Sequence, residues 1–339
     1  MRLKPHELML VLNEVVDKRL WILIPYLKVG IMELYYPDGK VMRVGVKELR
    51  ILDGALRSLG FRGRSLLDLF WDSLQSAGVI TPRNMRDLLE LIDECSKPLS
   101  PRDPLPRLIA VDTNVLYNST LTLASRLSKH RPPILISWCV MRELSLALDK
   151  RSKNDTVFAN LARSRGTPQT LVRKLERAWR LEARRAFAAL RERNRVAAVY
   201  PVTITERRFC RGDYSIVDDY SRIKGCRVTL VTHDKNVSGV ASSLGLPALY
   251  IEGPEKEVSK VPLSLIGELL YYLAVNYLVI EIRGEFRWAR VWSWWRRMGD
   301  EEAERGLLMI EAPPEVERRV ARELSTVRLV ESALSGDKR

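Results

Sequence analysis

Four carboxylates stand where an α/β chain would expose side chains capable of chemistry. Asp112 directly follows the apolar run LIAV (108–111), and Asp234 follows VTLV (228–231) after Thr232 and His233. Glu143 lies in the helical stretch after ILIS (134–137), and Asp213 follows Gly212 at the head of an apolar helical segment. In an open parallel sheet, ligands bind outside the carboxyl ends of the strands, so these positions would face one crevice. Clustered carboxylates repel unless a cation neutralises them. Hard divalent ions such as Mg²⁺ or Mn²⁺ take oxygen ligands, and two of them about 4 Å apart orient an attacking water and stabilise a leaving oxygen. Asp112 and Asp234 are the candidate inner ligands, with Glu143 and Asp213 completing the set. Asn114 and Thr232 are placed to orient carboxylates by hydrogen bonding.

Taken singly, each acid has a plainer reading. Asp112, Asp213 and Asp234 suit helix N-caps, and Glu143 early in a helix answers the macrodipole. Convergence of all four on one sheet edge favours the chemical reading. Asp218 falls five residues after Asp213, about 140° around a helix, so both cannot face one ion. Asp213 is preferred, with Asp218 and Asp219 left open as the third acid. His233 adjoins Asp234 on an extended chain and would point to the opposite side, which disfavours it as a base.

The elements that must position these residues are legible as unbroken apolar runs alternating with helical stretches. Beside LIAV, ILIS and VTLV, the runs VYPV (199–202) and ALYI (248–251) complete a set of candidate strands. Buried runs separated by helices predict a parallel sheet covered on both faces, an α/β domain over 104–253. From Lys150 to Arg195 there is no strand candidate, and about fourteen basic residues stand against four acidic ones. Its second half opens at Thr167-Pro168 and places Leu171, Leu175, Ala178, Trp179, Ala183, Ala186 and Leu190 on one stripe. Arg173, Arg177, Arg180, Arg184 and Arg191 would line the opposite side, a candidate ridge for phosphates.

Four prolines in SKPLSPRDPLPR (96–107) mark a boundary, since proline removes donors and fixes φ. Residues 1–103 then read as an α+β module, mostly helical, with a hairpin around Pro37-Asp38-Gly39 and a helix opened by Thr81-Pro82. Residues 254–339 read as a helical, Trp-rich extension, with helices from Leu263 to about Val279 and from Pro314 to Leu334. In FRWARVWSWWRRM (286–298), Trp288, Trp292 and Trp294 would share one face of an extended chain. Base stacking there is attractive, but tryptophan is more often core.

The 339 residues are 46% hydrophobic and 29% charged, the balance of a globular chain and not of a disordered one. Lys and Arg number 56 against 42 Asp and Glu, a net charge of +14 that favours a polyanionic partner. Cys95, Cys139, Cys210 and Cys226 are far apart, which argues against a zinc knuckle or a disulfide framework and predicts reduced thiols. The start MRLKPHELML lacks a secretion signal, and the apolar stretches 20–34 and 265–282 are interrupted by Lys28, Glu268 and Asn276. They read as core, no membrane span is expected, and the protein is expected to be cytoplasmic.

At the four acids the chain resembles the PIN-domain nucleases. The matching segments are LIAVDTNVL with Asp112, MRELSLAL with Glu143, GDYSIVDD with Asp213 and VTLVTHDKN with Asp234. The resemblance covers about residues 105–253. It implies a three-layer fold and a phosphodiesterase acting through Mg²⁺ or Mn²⁺, with RNA favoured over DNA and endonucleolytic cutting expected. The insertion at 150–195 and the flanking modules depart from the family pattern, and those modules are candidate surfaces for a homo-oligomer or protein partner. The alternatives are a catalytically silent RNA- or DNA-binding scaffold with the same fold, and the toxin ribonuclease of a toxin–antitoxin pair. Four intact acids weigh against the first, because a binder gains nothing from negative charge facing phosphates. The length weighs against the second.

Overall fold

The apolar runs gather into two sheets. In the computed structural model, which describes residues 1–58, 63–101, 104–149, 156–206, 209–293 and 300–336, twelve strands are seen among those residues. They are β1 (Arg2–Leu3), β2 (Arg19–Ile24), β3 (Val29–Tyr35), β4 (Lys40–Val44), β5 (Arg107–Val111), β6 (Ile134–Ile136), β7 (Val202–Ile204), β8 (Arg227–Thr232), β9 (Ala248–Tyr250), β10 (Val279–Arg283), β11 (Trp288–Trp292) and β12 (Leu308–Glu311). The chain divides into two units, one of residues 1–74, 152–184 and 258–339, the other of residues 75–151 and 185–257.

The first unit is built on an antiparallel sheet of order β1-β12-β11-β10-β2-β3-β4. Strand β2 alternates strictly, with Leu20, Ile22 and Ile24 buried, as expected of a sheet with one covered face. The hairpin read at Pro37-Asp38-Gly39 is present between β3 and β4. Gly39 has φ +71° and a Cβ there would meet the Val261 carbonyl, so only glycine fits. The helix Leu263–Tyr277 is apolar on all sides and buried along most of its length. Its one inward amide, Asn276, donates to the Leu69 carbonyl (3.1 Å) and the Ser73 hydroxyl (2.8 Å), which satisfies a polar group in an apolar setting. At Gly267 the Pro5 carbonyl comes so close that a Cβ would lie 2.1 Å from it.

This architecture differs from the separate N- and C-terminal modules that the sequence suggests. Strands from both ends pair, Ile22 opposite Ile282 for example, so the two segments share one sheet. Trp292 is a core residue, its indole N–H donating to Glu311, and Trp288 is half-buried, while Trp294 falls outside the described residues. Trp292 thus follows the core reading of these tryptophans.

The basic segment also departs from expectation. All seven residues of the apolar stripe are buried. The helix is nevertheless broken, into Gln169–Glu176 and Leu181–Ala197, and the second piece is buried on most of its faces. Arg184 and Arg191 are consequently buried, Arg180 is half-buried, and only Arg173 and Arg177 of the five are exposed. One continuous arginine ridge does not exist. The proline at 168 does open a helix, but the Thr167 hydroxyl donates to the Tyr26 carbonyl and does not cap it.

The second unit contains a five-stranded parallel sheet of order β7-β6-β5-β8-β9 with helices flanking it. Ile109, Ala110, Val111, Ile134, Ile136, Leu230 and Val231 form its centre. Burial on both faces explains why these strands read as continuous apolar runs, each fully buried aliphatic side chain contributing roughly 1.5–3 kcal/mol. The strand expected at 199–202 lies later, at Val202–Ile204. Tyr200 still belongs to the preceding helical turn, its N–H donating to the Val196 carbonyl (2.7 Å). The helix expected from Thr81-Pro82 begins at Met85, because Pro82 bridges Pro254 and its carbonyl receives the Met85 N–H. Among the described residues no helix is long and apolar enough to cross a membrane.

Candidate active site

Strand register brings the first acids together. Val111 lies opposite Ile136 on one side and Val231 on the other, so Asp112, Ser137 and Thr232 stand level at the carboxyl edge of the sheet. The strand order reverses beside β5, which makes this edge a topological switch point, where such folds bind ligands.

Asp112 caps a helix with one carboxylate oxygen and meets Thr232 with the other. Its Oδ1 accepts the Val115 N–H (2.9 Å) of the helix Thr113–Tyr117, and its Oδ2 accepts the Thr232 hydroxyl (2.6 Å). Asn114 Nδ2 lies 3.5 Å from Oδ2, a marginal contact. With the residue only 2% exposed, burial pushes its carboxyl up to about 6. The Thr232, Val115 and Asn114 donors pull the other way, and the charge of Asp234 adds to the rise.

Asp234 caps the helix Lys235–Ser243 by accepting the Asn236 N–H (2.8 Å). Its own N–H donates to Thr232 Oγ1 (2.9 Å). One threonine hydroxyl thus ties the two strand-end acids together. Glu143, half-buried on the helix Trp138–Asp149, accepts a hydrogen bond from the Thr113 hydroxyl. Its carboxyl is raised by burial and then by Asp213, against the pull of Thr113. Asp213, second residue of the helix Gly212–Ser221, is raised by what burial it has and by Asp234. The mutual influences Asp112–Asp234, Asp234–Asp213 and Asp213–Glu143 put all four acids in one electrostatic neighbourhood. Among the described residues none of them pairs with a lysine or arginine. No three of the described His, Cys, Asp or Glu side chains converge tightly enough to form a ready-made metal cage.

The two competing acids are engaged otherwise. Asp218 is buried and receives the Arg222 guanidinium (2.8 Å), and Asp219 accepts the hydroxyls of Ser137 (2.6 Å) and Thr205. Next to them, buried Tyr220 donates its hydroxyl to the Val111 carbonyl (2.7 Å) and accepts the Ser137 N–H (2.6 Å). This pin joins the last residue of β5, just before Asp112, to the residue that opens the helix of Glu143. Sequence reasoning missed it. The only signal was the polar run Asp218-Asp219-Tyr220 on an otherwise apolar helix, read there as a choice between acids. Thr113 was likewise missed as the partner of Glu143. His233 is pushed down to about 4 by burial and sits 2.7 Å from the Thr120 hydroxyl, so it is neutral at pH 7.

The cysteines depart from the all-reduced expectation. Cys139 and Cys210 form a disulfide, their Cα atoms 5.4 Å apart, while Cys95 and Cys226 are free. Their separation of 71 residues hides the pairing from any local pattern, and it is the fold that brings them within bridging range.

The parallel sheet flanked by helices agrees with the PIN-like fold that the acids suggested. No curated protein matches the chain. Residues 109–252 match the PIN domain, a span that includes all four acids. By that segment the chain is similar to the PIN-domain family, whose members are generally nucleases.

Proposed function

We propose that this protein is a metal-dependent nuclease that hydrolyses phosphodiester bonds, with RNA favoured over DNA and internal cleavage over trimming. The observation that carries the reading is the group of four carboxylates at the switch point of the parallel sheet, oriented by hydroxyls and backbone amides and, among the described residues, paired with no cation. Such an arrangement costs folding energy through burial and repulsion, which a bound divalent ion would offset. The donors fit a hard ion, since all are oxygens. Asp112 and Asp234 would hold it most directly, with Glu143 and Asp213 completing the site. A bound Mg²⁺ or Mn²⁺ supplies an acidified water and neutralises charge on the phosphate.

The chain's own residues do the orienting. Thr232 holds Asp112 and the backbone of Asp234 in fixed relation, and Thr113 restrains Glu143. Asn114, at its longer distance, has the weaker claim to an orienting role. The excess positive charge of the chain attracts a polyanion, and of the five arginines of the expected ridge Arg173 and Arg177 are the exposed ones among the described residues.

The test is incubation of labelled single-stranded RNA, hairpin RNA and DNA with Mn²⁺, Mg²⁺ or chelator, beside an Asp112→Asn variant. Metal-dependent cleavage of RNA that the variant lacks is expected. Binding without cleavage under every metal, equal in both proteins, would remove the catalytic reading and leave a nucleic-acid-binding scaffold.

A further inference from the structure

We propose that the Cys139–Cys210 disulfide is a positioning cross-link of the acid cluster, so that affinity for the divalent ion, and with it cleavage, depends on the oxidation state of this pair. The inference rests on the nuclease reading above and adds to it a control on one half of the site.

Each half of the bridge leads to a different acid. Cys139 is the second residue of the helix Trp138–Asp149, and Glu143 lies four residues further on the same face, a rise of about 6 Å. Cys210 precedes Asp213 by three residues. The tether between them passes through Gly212, whose φ of +60° lies in the left-handed region, and the helix of Asp213 begins there. The bridge therefore fixes the start of one acid-bearing helix against the start of the other.

The Asp213 carboxylate itself is lightly held, although its helix is anchored further along by Asp219 and Tyr220. Among the described residues its carboxylate makes no hydrogen bond, and no side chain caps its helix at Arg211. The local contacts are the Arg211 N–H to Ser215 Oγ (2.7 Å) and the stacking of Arg211 over Phe209 (5.0 Å), both internal to the same segment. Phe209 and Tyr214, on either side of the tether, are exposed. Asp112 and Asp234, in contrast, are set by strand register and by Thr232. Loss of the cross-link thus loosens the Asp213 end of the site, while Thr113 and the Ser137 contacts still hold Glu143 and the Asp112–Asp234 half stays in place.

Cys139 is buried but Cys210 is half-exposed, so a small dithiol reaches the Cys210 sulfur. Its thiolate attacks Cys210 Sγ, the S–S bond breaks, and Cys139 leaves as a thiolate that takes up a proton. The second thiol of the reagent then closes its own disulfide and releases Cys210. In sum, two electrons and two protons pass from the dithiol to the protein.

The experiment is a calorimetric titration of the full chain with Mn²⁺ in three forms. These are the protein as purified, the protein reduced with a dithiol that is then removed without air, and the Cys139→Ser/Cys210→Ser double variant. Circular dichroism establishes that each form is folded, and Cys210→Ser alone replaces the double variant should that fail to fold. Reduction is expected to weaken Mn²⁺ binding by about 10–100-fold, the scale of losing a group that orients a ligand. Reoxidation should restore affinity and RNA cleavage in the wild type and not in the variant. A bridge that serves stability alone would lower the melting temperature without moving the affinity of the folded protein. Equal affinity in both redox states, or four free thiols in the purified protein, overturns the inference and leaves the nuclease reading intact. An oxidised protein that binds no Mn²⁺ overturns both.

Discussion

Replacing Tyr220 with phenylalanine removes a single oxygen from the second unit and tests whether the pin beneath the acids matters. The phenol is 1% exposed, donates to the Val111 carbonyl at 2.7 Å and accepts the Ser137 N–H at 2.6 Å. The ring stays, so packing is unchanged and the cavity left is negligible. Two neutral hydrogen bonds at about 1 kcal/mol each are lost, and the cost rises where the buried Ser137 N–H is left without a partner, for a total of about 2–3 kcal/mol. In a unit of this size that corresponds to a fall in melting temperature of about 5–10 °C, read by calorimetry or circular dichroism. The two groups released adjoin Asp112 and open the helix of Glu143, so cleavage should fall by about tenfold beyond what the thermal shift explains, measured well below the melting point. A Tyr220→Phe protein that melts with the wild type and cleaves at the same rate would refute the reasoning.

Asp112→Asn should raise the melting temperature of the chelator-treated protein at pH 8. Burial lifts the folded carboxyl to about 6, above its unfolded value, so its charge costs stability at high pH. The advantage of the variant should close as pH falls from 6 towards the ordinary carboxylate range, and no gain at pH 8 would count against a buried charge there. Glu192, fully buried, accepts both the N–H (2.9 Å) and the hydroxyl (2.7 Å) of Thr122, and burial raises its carboxyl towards the neutral form. Glu192→Ala should therefore cost about 3 kcal/mol and Glu192→Gln about 1 kcal/mol or less, and equal losses in denaturant titrations would discredit the assignment. In the first unit, burial works against the Glu7 carboxylate, yet Arg328 and the Lys4 N–H hold it below its ordinary value. A depressed carboxylate contributes stability above its unfolded value and loses it as pH falls through the folded one. Arg328→Ala should thus destabilise by about 1 kcal/mol at pH 7, discounted because the arginine is half-exposed, and by nothing once Glu7 is protonated.

The strands of the parallel sheet were legible because burial on both faces leaves no polar interruption, and the carboxyl-edge acids because the residue after each such strand must emerge at one level. What the local pattern could not carry is any pairing distant in sequence. Ile22 against Ile282 joins the two ends of the chain in one sheet, and nothing near either residue announces the other. The arginine ridge failed for a different reason, since a wheel assumes one continuous helix with a solvent face, whereas the helix breaks and its second piece is covered on most faces, burying Arg184 and Arg191. The third acid was the least decided from sequence, and the structure supplies a physical reason. Asp112 and Asp234 inherit their places from strand register, which apolar runs reveal, whereas Asp213 depends on a short tether from Cys210 to a partner 71 residues earlier. Asp218 and Asp219 are engaged by side chains that no pattern had connected to them, Arg222 for the first and Ser137 and Thr205 for the second. The residue whose identity was least certain is the one held by the least local device, so the disulfide and Asp213 should rise or fall together in any assay of the site.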